Sequence, residues 1–332
     1  MKRLLLSICA VATLASCSMD EVVSYDKGEL IGFANPFVNK STRATDPSIG
    51  ATENNPFESF NVWGTADGKP IYTGDAVEGE VGKDDEGKDI VWTCNKKNYW
   101  IKGVEYDFAA LANYGNATVG VGLDNGLPTS ITGFDASGAN VDLIYAKLAN
   151  TITPTDDSYN TPVSLTFNHL LSKVKFTVIN NSYSDAPEYS FNVSDITITG
   201  YKSGNATLGN DGWTWAPVEG STMAAYTVDA TNGITVDKDN TEVTNETELL
   251  LIPGTFTIEF KVNTIDGKID GNDNVLNTKT YSYPSISALS QTLLVGTAYN
   301  FIINVSVGNE ITFSVAANPS WTNANADGTT IL

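Results

Sequence analysis

Apolar and polar residues alternate along several stretches of this chain with the period of two that β-strands produce. The clearest stretch begins at residue 173, where one face carries Val174, Phe176 and Val178 and the other carries Lys173, Lys175 and Thr177. The ranges 256–262 and 299–307 alternate in the same manner. Each of these three stretches is therefore predicted to be a half-buried β-strand.

Shorter apolar and aromatic runs, separated by Gly, Asp, Asn and Pro, predict further strands at 29–34, 60–64, 90–92, 99–101, 106–108, 118–121, 141–146, 195–199, 212–215, 225–228, 248–252 and 311–315. The Gly- and Asp-rich region 65–89 is interpreted as turns, and 286–295 as a short helix or an edge segment. Many short strands with turn signals between them indicate β-sandwiches.

Length and composition agree with an all-β chain of two domains. The chain has 332 residues, of which 41% are hydrophobic and 17% are charged, and domains of roughly 150 residues are common. A polar stretch rich in Pro and Asp, residues 150–162, predicts the boundary. We therefore expect an N-terminal β-sandwich over 44–160 and a C-terminal β-sandwich over 161–332.

The charge balance excludes one class of partner. Asp and Glu number 39 against 19 Lys and Arg, which gives a formal net charge of −20. Such a surface repels phosphate backbones, so nucleic acid is not expected as a partner.

The first residues have the layout of a bacterial lipoprotein signal. Lys2 and Arg3 precede an apolar run that is too short to be a permanent membrane span, and the run ends in Leu14-Ala-Ser-Cys17. This resembles a lipobox, so we predict a signal peptide over 1–16 and lipidation of Cys17. Acyl chains supply about 0.8 kcal/mol of membrane affinity per buried CH₂.

A small, polar segment, residues 39–47, follows the predicted strand at 29–34. Exposed segments of this composition are where proteases cut, and Arg43 within Thr-Arg-Ala-Thr suits an Arg-specific protease. From composition alone, an arginine in an uncut linker is the alternative.

Catalytic chemistry is not recognisable in the sequence. His169 is the only histidine, so a Ser-His-Asp triad would have to use it and a multi-histidine zinc site is impossible. Cys9 and Cys17 belong to the targeting segment, which leaves Cys94 as the only other cysteine. We expect His169 to be structural. No acidic residue lies in a convincingly apolar strand, and the acidic stretches 84–89 and 266–274 lack the spacing of a calcium loop. We expect no enzyme activity, no metal and no cofactor.

Four sequence features together resemble the fimbrillins, the subunits of type V pili of Gram-negative bacteria. They are the lipobox with the downstream Thr42-Arg-Ala-Thr45, the motif Asp142-Leu-Ile-Tyr-Ala146, the stretch Phe167-Asn-His-Leu-Leu-Ser-Lys-Val-Lys-Phe176, and Leu250-Leu-Ile-Pro253 followed by Gly296-Thr-Ala-Tyr299 and a final Trp321. The features occur in the family's order over most of the chain.

This resemblance implies two tandem transthyretin-like β-sandwich domains after a lipidated propeptide, residues 17–43, that contains a removable strand within 29–39. It implies cleavage between Arg43 and Ala44 by an Arg-specific protease. The uncovered groove would then take a C-terminal donor strand from a neighbouring subunit. The donor candidates in this chain are Ile311, Phe313, Val315, Ile331 and Leu332.

The implied function is a structural or accessory subunit of an adhesive pilus, carried to the outer membrane by its lipid and exposed at the cell surface. Its partners would be other pilus subunits, in a homopolymer or a heteropolymer. The alternative is a lipid-anchored glycan-binding protein of a nutrient-uptake system, in which Trp100, Trp213 and Trp215 would form a sugar-stacking face.

Overall fold

The structure is a computed structural model that describes residues 28–34, 36–38, 59–79, 91–113, 120–137, 142–155, 161–228, 233–245, 248–266, 274–283, 292–308, 311–318 and 329–331. Every regular element in these ranges is a strand, which confirms the all-β prediction. The ranges contain no helix that is long and apolar enough to cross a membrane.

The strands up to residue 169 are β1 (Gly32–Phe33), β2 (Phe37–Val38), β3 (Ser59–Ala66), β4 (Lys69–Glu78), β5 (Trp92–Cys94), β6 (Tyr106–Ala112), β7 (Gly120–Asp124), β8 (Leu127–Asp135), β9 (Ile144–Lys147) and β10 (Thr166–His169). The later strands are β11 (Ser172–Asn180), β12 (Tyr189–Tyr201), β13 (Ser203–Gly209), β14 (Gly212–Pro217), β15 (Met223–Thr227), β16 (Ile234–Val236), β17 (Glu242–Thr244), β18 (Leu249–Leu251), β19 (Thr257–Asp266), β20 (Asn274–Tyr283), β21 (Ala298–Val305), β22 (Thr312–Asn318) and β23 (Thr329–Ile331).

The N-terminal half is built on one large sheet of order β1-β5-β4-β3-β6-β9-β10-β2. Its central strands β6 and β9 are buried on both faces, because alternate residues enter two different cores. Phe108 and Ile144 belong to a core that also holds Phe33, Phe60 and Trp92. Their neighbours in the sequence face a second core, which lies on the opposite side of the sheet.

The C-terminal half is a β-sandwich. One sheet has the order β17-β11-β21-β22-β23 with β18 also paired to β11, and the other has the order β15-β12-β19-β20 with β16 paired to β12. Aromatic residues from the two sheets meet in the core, as Phe256 and Phe301 do with ring centroids 5.5 Å apart. The core-facing residues predicted for 256–262 and 299–307 are confirmed, with Val307 only partly buried. Strand β21 is not half-buried as predicted, since Asn300 and Ile302 on its other face are buried too.

Strand β11 differs from the half-buried strand that its alternation predicts. Val174, Phe176 and Val178 face the core as expected, but Lys173 and Thr177 on the other face are buried too. Lys173 Nζ lies 3.3 Å from Glu248 Oε2, and the Thr177 hydroxyl is 2.7 Å from that of Thr244. Polar partners on neighbouring segments thus allow a lysine and a threonine to be buried.

Strands from both halves share a fourth sheet, of order β14-β13-β8-β7. Strand β13 pairs antiparallel with β8, and Gly133 N donates to Asn205 Oδ1 at 2.8 Å across the pair. This sheet covers the second core of the large sheet. Strand β10 lies beyond the expected boundary at residue 160, yet it pairs with β9 and β2 in the large sheet. The chain enters the C-terminal sandwich after Leu170 and Leu171.

Candidate functional site

The segment 28–38 closes the large sheet. Its first part, β1, pairs antiparallel with β5 at one end of the strand order. Its second part, β2, pairs parallel with β10 at the other end, and Phe33 bridges Val163 just before β10. The two ends of the sheet are therefore joined through this one segment.

Backbone hydrogen bonds of 2.8–2.9 Å hold the segment on both sides: Ile31 N to Asn98 O, Trp100 N to Glu29 O, Ala34 N to Val163 O, and Val163 N to Gly32 O. The segment thus satisfies backbone groups that follow β5 at one end of the sheet and precede β10 at the other. Without it, both of these edges would present unpaired N–H and C=O groups.

Phe33 is the main apolar anchor of this segment. Its side chain has no solvent exposure, and its ring lies 5.7 Å from Phe60, 5.9 Å from Phe108 and 6.2 Å from Tyr72 between centroids. The contacts with Phe60 and Phe108 are edge-to-face, the geometry that aromatic quadrupoles favour. Ile31 is buried in the same core. We call this site the Phe33 socket, defined by Phe60, Tyr72 and Phe108.

The residue between these two anchors lies close to the side chain of Val91. A Cβ built on Gly32 would lie 2.4 Å from Val91 Cγ1. Val91 is half exposed, so its side chain would have to rotate away to make room for a larger residue. The local requirement of the segment is therefore an aliphatic residue, a very small residue and an aromatic residue in succession.

A second cluster of interest lies where the two halves meet. His169 Nδ1 contacts Asp142 Oδ2, and both side chains are buried. Asn113 Nδ2 donates to the backbone carbonyl of Asp142 at 2.9 Å. Asp142 lies just before strand β9, outside any strand, and it is nevertheless fully buried with the imidazole of His169 as its partner.

The motif segments that the structure describes, which are 142–146, 167–176, 250–253 and 296–299, meet at this junction. Gly296 N donates to Leu171 O and Lys173 N donates to Thr297 O, each at 3.0 Å. Strand β18, from the motif that begins at residue 250, pairs with the start of β11. The motif residues therefore share a structural position at which the large sheet passes into the C-terminal sandwich.

The buried titratable groups show no activated nucleophile. Burial raises the pKa of the Cys94 thiol and of the Tyr299 phenol. Burial is also the main cause of the raised pKa values of Tyr72, Tyr145 and Tyr226. Raised values keep the thiol and the phenols neutral at physiological pH. Within the described ranges, His, Cys, Asp and Glu form no group of three that could hold a metal.

The three tryptophans do not form one sugar-stacking face. Trp100 is buried edge-on against Tyr106, with centroids 4.8 Å apart. Trp213 packs against Tyr145 at 4.9 Å. Trp215 donates its indole N–H to Leu170 O at 2.7 Å. These side chains serve the N-terminal core and the contact between the halves.

The predicted donor residues that the structure describes lie in the C-terminal half, and the predicted processing residues are not described. Cys17, Arg43, Ala44 and Leu332 lie outside the described residues, and of Ile331 only its place in β23 is described. Phe313 and Val315 are buried in the C-terminal core, and Ile311 packs against it. The sequence contains no signal that Val163 or Val91 lies next to the segment 28–38.

Known protein families and solved structures include several that are similar to this chain. A family model described as fimbrillin-like matches residues 42–321. A fimbrial protein of Bacteroides vulgatus has a similar structure, with a TM-score of 0.61 and 16% identity over 88% of this chain and 99% of that one.

Candidate cell adhesion proteins of Bacteroides uniformis and Bacteroides ovatus are also similar in structure. Their TM-scores are 0.52 and 0.51 at 16% and 15% identity, over 88% and 90% of this chain and 99% of each of theirs. At such identities the likeness shows a shared fold. A comparison with curated proteins finds no match. Because the family model spans most of its length, this chain belongs to the fimbrillin-like family.

Proposed function

We propose that this protein is a structural subunit of an adhesive pilus at the cell surface, and that it assembles by strand exchange after loss of its N-terminal strand. The observation that carries the proposal is the closure of the large sheet by the segment 28–38. The family and the structurally similar fimbrial and candidate adhesion proteins support the same role.

The physical basis is the state that remains once the segment leaves. A cut after Arg43 separates residues 28–38 from the body of the protein, although the groove still holds them non-covalently. Release opens the Phe33 socket and two rows of backbone groups to water, which is unfavourable. A strand from another subunit restores both kinds of contact by β-augmentation. Since donor and acceptor surfaces differ, repetition gives an open filament.

The route to the cell surface rests on the two predicted processing residues. Lipid on Cys17 would hold the precursor on the outer membrane, and a cut at Arg43 would release the body from that lipid. The chain has only two arginines, Arg3 and Arg43, and Arg3 lies in the signal peptide. An Arg-specific protease would therefore make one cut in the exported protein and leave both halves intact.

The C-terminal tail after β22 is the better donor within the range 311–332. Phe313 stacks on Phe301 at 5.6 Å and on Phe260 at 6.2 Å, and β22 pairs with β21 over seven residues. Its withdrawal would empty part of the C-terminal core. We therefore assign the donor role to residues beyond 318, which include Ile331 and Leu332.

Digestion of the detergent-solubilised lipoprotein with an Arg-specific protease tests this proposal. We expect one cut after Arg43, after which a fluorescent peptide of residues 28–38 exchanges into the groove. The variant Arg43→Lys keeps the charge but is not cut, so it should capture no peptide. A fully cut protein that captures no peptide would refute strand exchange. Metabolic labelling with a fatty acid that is lost in Cys17→Ala checks the lipid.

A further inference from the structure

We infer that this groove takes its donor strand from a different kind of subunit, one whose strand carries an aliphatic, a very small and an aromatic residue in succession, and not from a second copy of this chain. The inference rests on the proposed strand exchange. It concerns which partner the groove accepts.

The groove imposes three requirements at consecutive positions. The first position needs an apolar side chain and a backbone N–H, because Ile31 is buried and its N–H donates to Asn98 O at 2.9 Å. The second position favours a very small residue, since a Cβ on Gly32 would lie 2.4 Å from Val91 Cγ1 and would force the Val91 side chain to rotate. The third position needs a flat ring to fill the Phe33 socket.

The triplet Ile31-Gly32-Phe33 is the only place in the chain where glycine stands between an aliphatic and an aromatic residue. The nearest match at the C-terminal end is Ile311-Thr312-Phe313. This segment is already part of the C-terminal sandwich, where Phe313 is buried. The chain thus has no available copy of the sequence that its own groove holds.

The C-terminal tail fits the groove poorly in each of the three registers that have a large side chain at the third position. Trp321 in the Phe33 socket would place Pro319 at the first position. Proline has no N–H for the bond to Asn98 O, and an indole is larger than the phenyl ring it would replace. Ile331 in the socket would place Thr329 at the first position and Thr330 at the glycine position. Leu332 in the Phe33 socket would place Thr330 at the first position and Ile331 at the glycine position, and it has no ring. Each register therefore violates at least two of the three requirements.

Peptide capture by the cut protein tests the inference. The cut protein is offered fluorescent peptides of residues 28–38, of the same residues with Phe33→Ala, and of residues 319–332, and Kd is measured by anisotropy. If Arg43 resists the protease, a site-specific protease sequence inserted between residues 43 and 44 supplies the cut. We expect the Phe33→Ala peptide and the tail peptide each to bind at least about tenfold more weakly than the native peptide.

Two results would overturn the inference. The first is capture of the tail peptide as tightly as the native peptide, and the second is growth of homopolymers from the cut protein alone in size-exclusion chromatography. Either result leaves strand exchange intact and removes only the requirement for a different partner. Failure of the native 28–38 peptide to bind a fully cut protein would instead refute strand exchange, and the inference with it.

Discussion

Replacement of Phe33 by alanine in the uncut chain should weaken the closure of the large sheet more than any surface change. The ring is fully buried and has three aromatic neighbours within 6.2 Å. Loss of a buried phenyl ring removes its transfer free energy and leaves a cavity, which together destabilise a core by about 3–5 kcal/mol. The free energy that docks segment 28–38 sets the upper limit, because a larger loss would simply detach the segment.

Two measurements distinguish a destabilised core from a detached segment 28–38. Urea denaturation of Phe33→Ala gives the change in the free energy of unfolding, and native-state hydrogen exchange at the amides of Ile31 and Ala34 reports detachment, since both donate across the groove. We expect these amides to lose protection before the C-terminal sandwich does. The variant Leu123→Ala, at a half-exposed position, is the control and should change stability by less than about 0.5 kcal/mol. A loss below about 1 kcal/mol for Phe33→Ala, with unchanged protection, would refute the socket as the anchor.

Three further changes address the junction and the pH dependence. Trp215→Phe removes the indole donor to Leu170 O and should lower the free energy of unfolding by about 1 kcal/mol in urea, whereas an unchanged stability would speak against this bond. Asp142→Ala should cost at least about 2 kcal/mol, and a double-mutant cycle with His169→Ala should show coupling; additive losses would contradict the pair. Burial raises the pKa of the Cys94 thiol and of four phenols, those of Tyr72, Tyr145, Tyr226 and Tyr299. The stability that these groups contribute should therefore be complete near pH 8. It should fall as the pH rises through the ordinary pKa of the thiol and then of the phenols, by up to about 1.4 kcal/mol per pH unit for each group. Urea titrations between pH 8 and 11 measure this slope, and a flat profile would contradict the burial of these groups.

The strands of the C-terminal sandwich could be predicted from their regular alternation, whereas strands with an irregular pattern could not be predicted. Strands β11, β19 and β21 carry an uninterrupted period of two, and their core faces are as expected. Strand β4 lies inside the region 65–89 that was assigned to turns. Its pattern is broken at Gly74, which has a φ of 98°, and the register with β3 shifts on both sides of Trp63 and Gly64. A bulged strand with Gly and Asp cannot be distinguished from a turn by periodicity.

The candidate site was only partly accessible to sequence reasoning. The alternation of Ile31 and Phe33 predicted a short strand with a buried face, and that prediction is confirmed. Its neighbours could not be predicted, because Asn98 and Val163 lie far along the chain and only the closure of the sheet brings them together. The burial of Asp142 could not be predicted, because a buried carboxylate needs the partner His169, which is 27 residues away in the sequence.

The sheet shared by β7, β8, β13 and β14 has a consequence for how the chain folds. Pairing of β8 with β13 closes a long loop in the sequence, as the 72-residue separation of Gly133 and Asn205 shows, and contacts of such range slow folding. A chain that is synthesised from its N-terminus cannot complete the sheet over the second core of its N-terminal half until β13 and β14 have been made. The hairpin β7–β8 then presents an open edge, the kind of surface on which unfinished β proteins aggregate. The edge of β8 therefore stays open until residues 136–202 have joined the fold and β13 has paired with it.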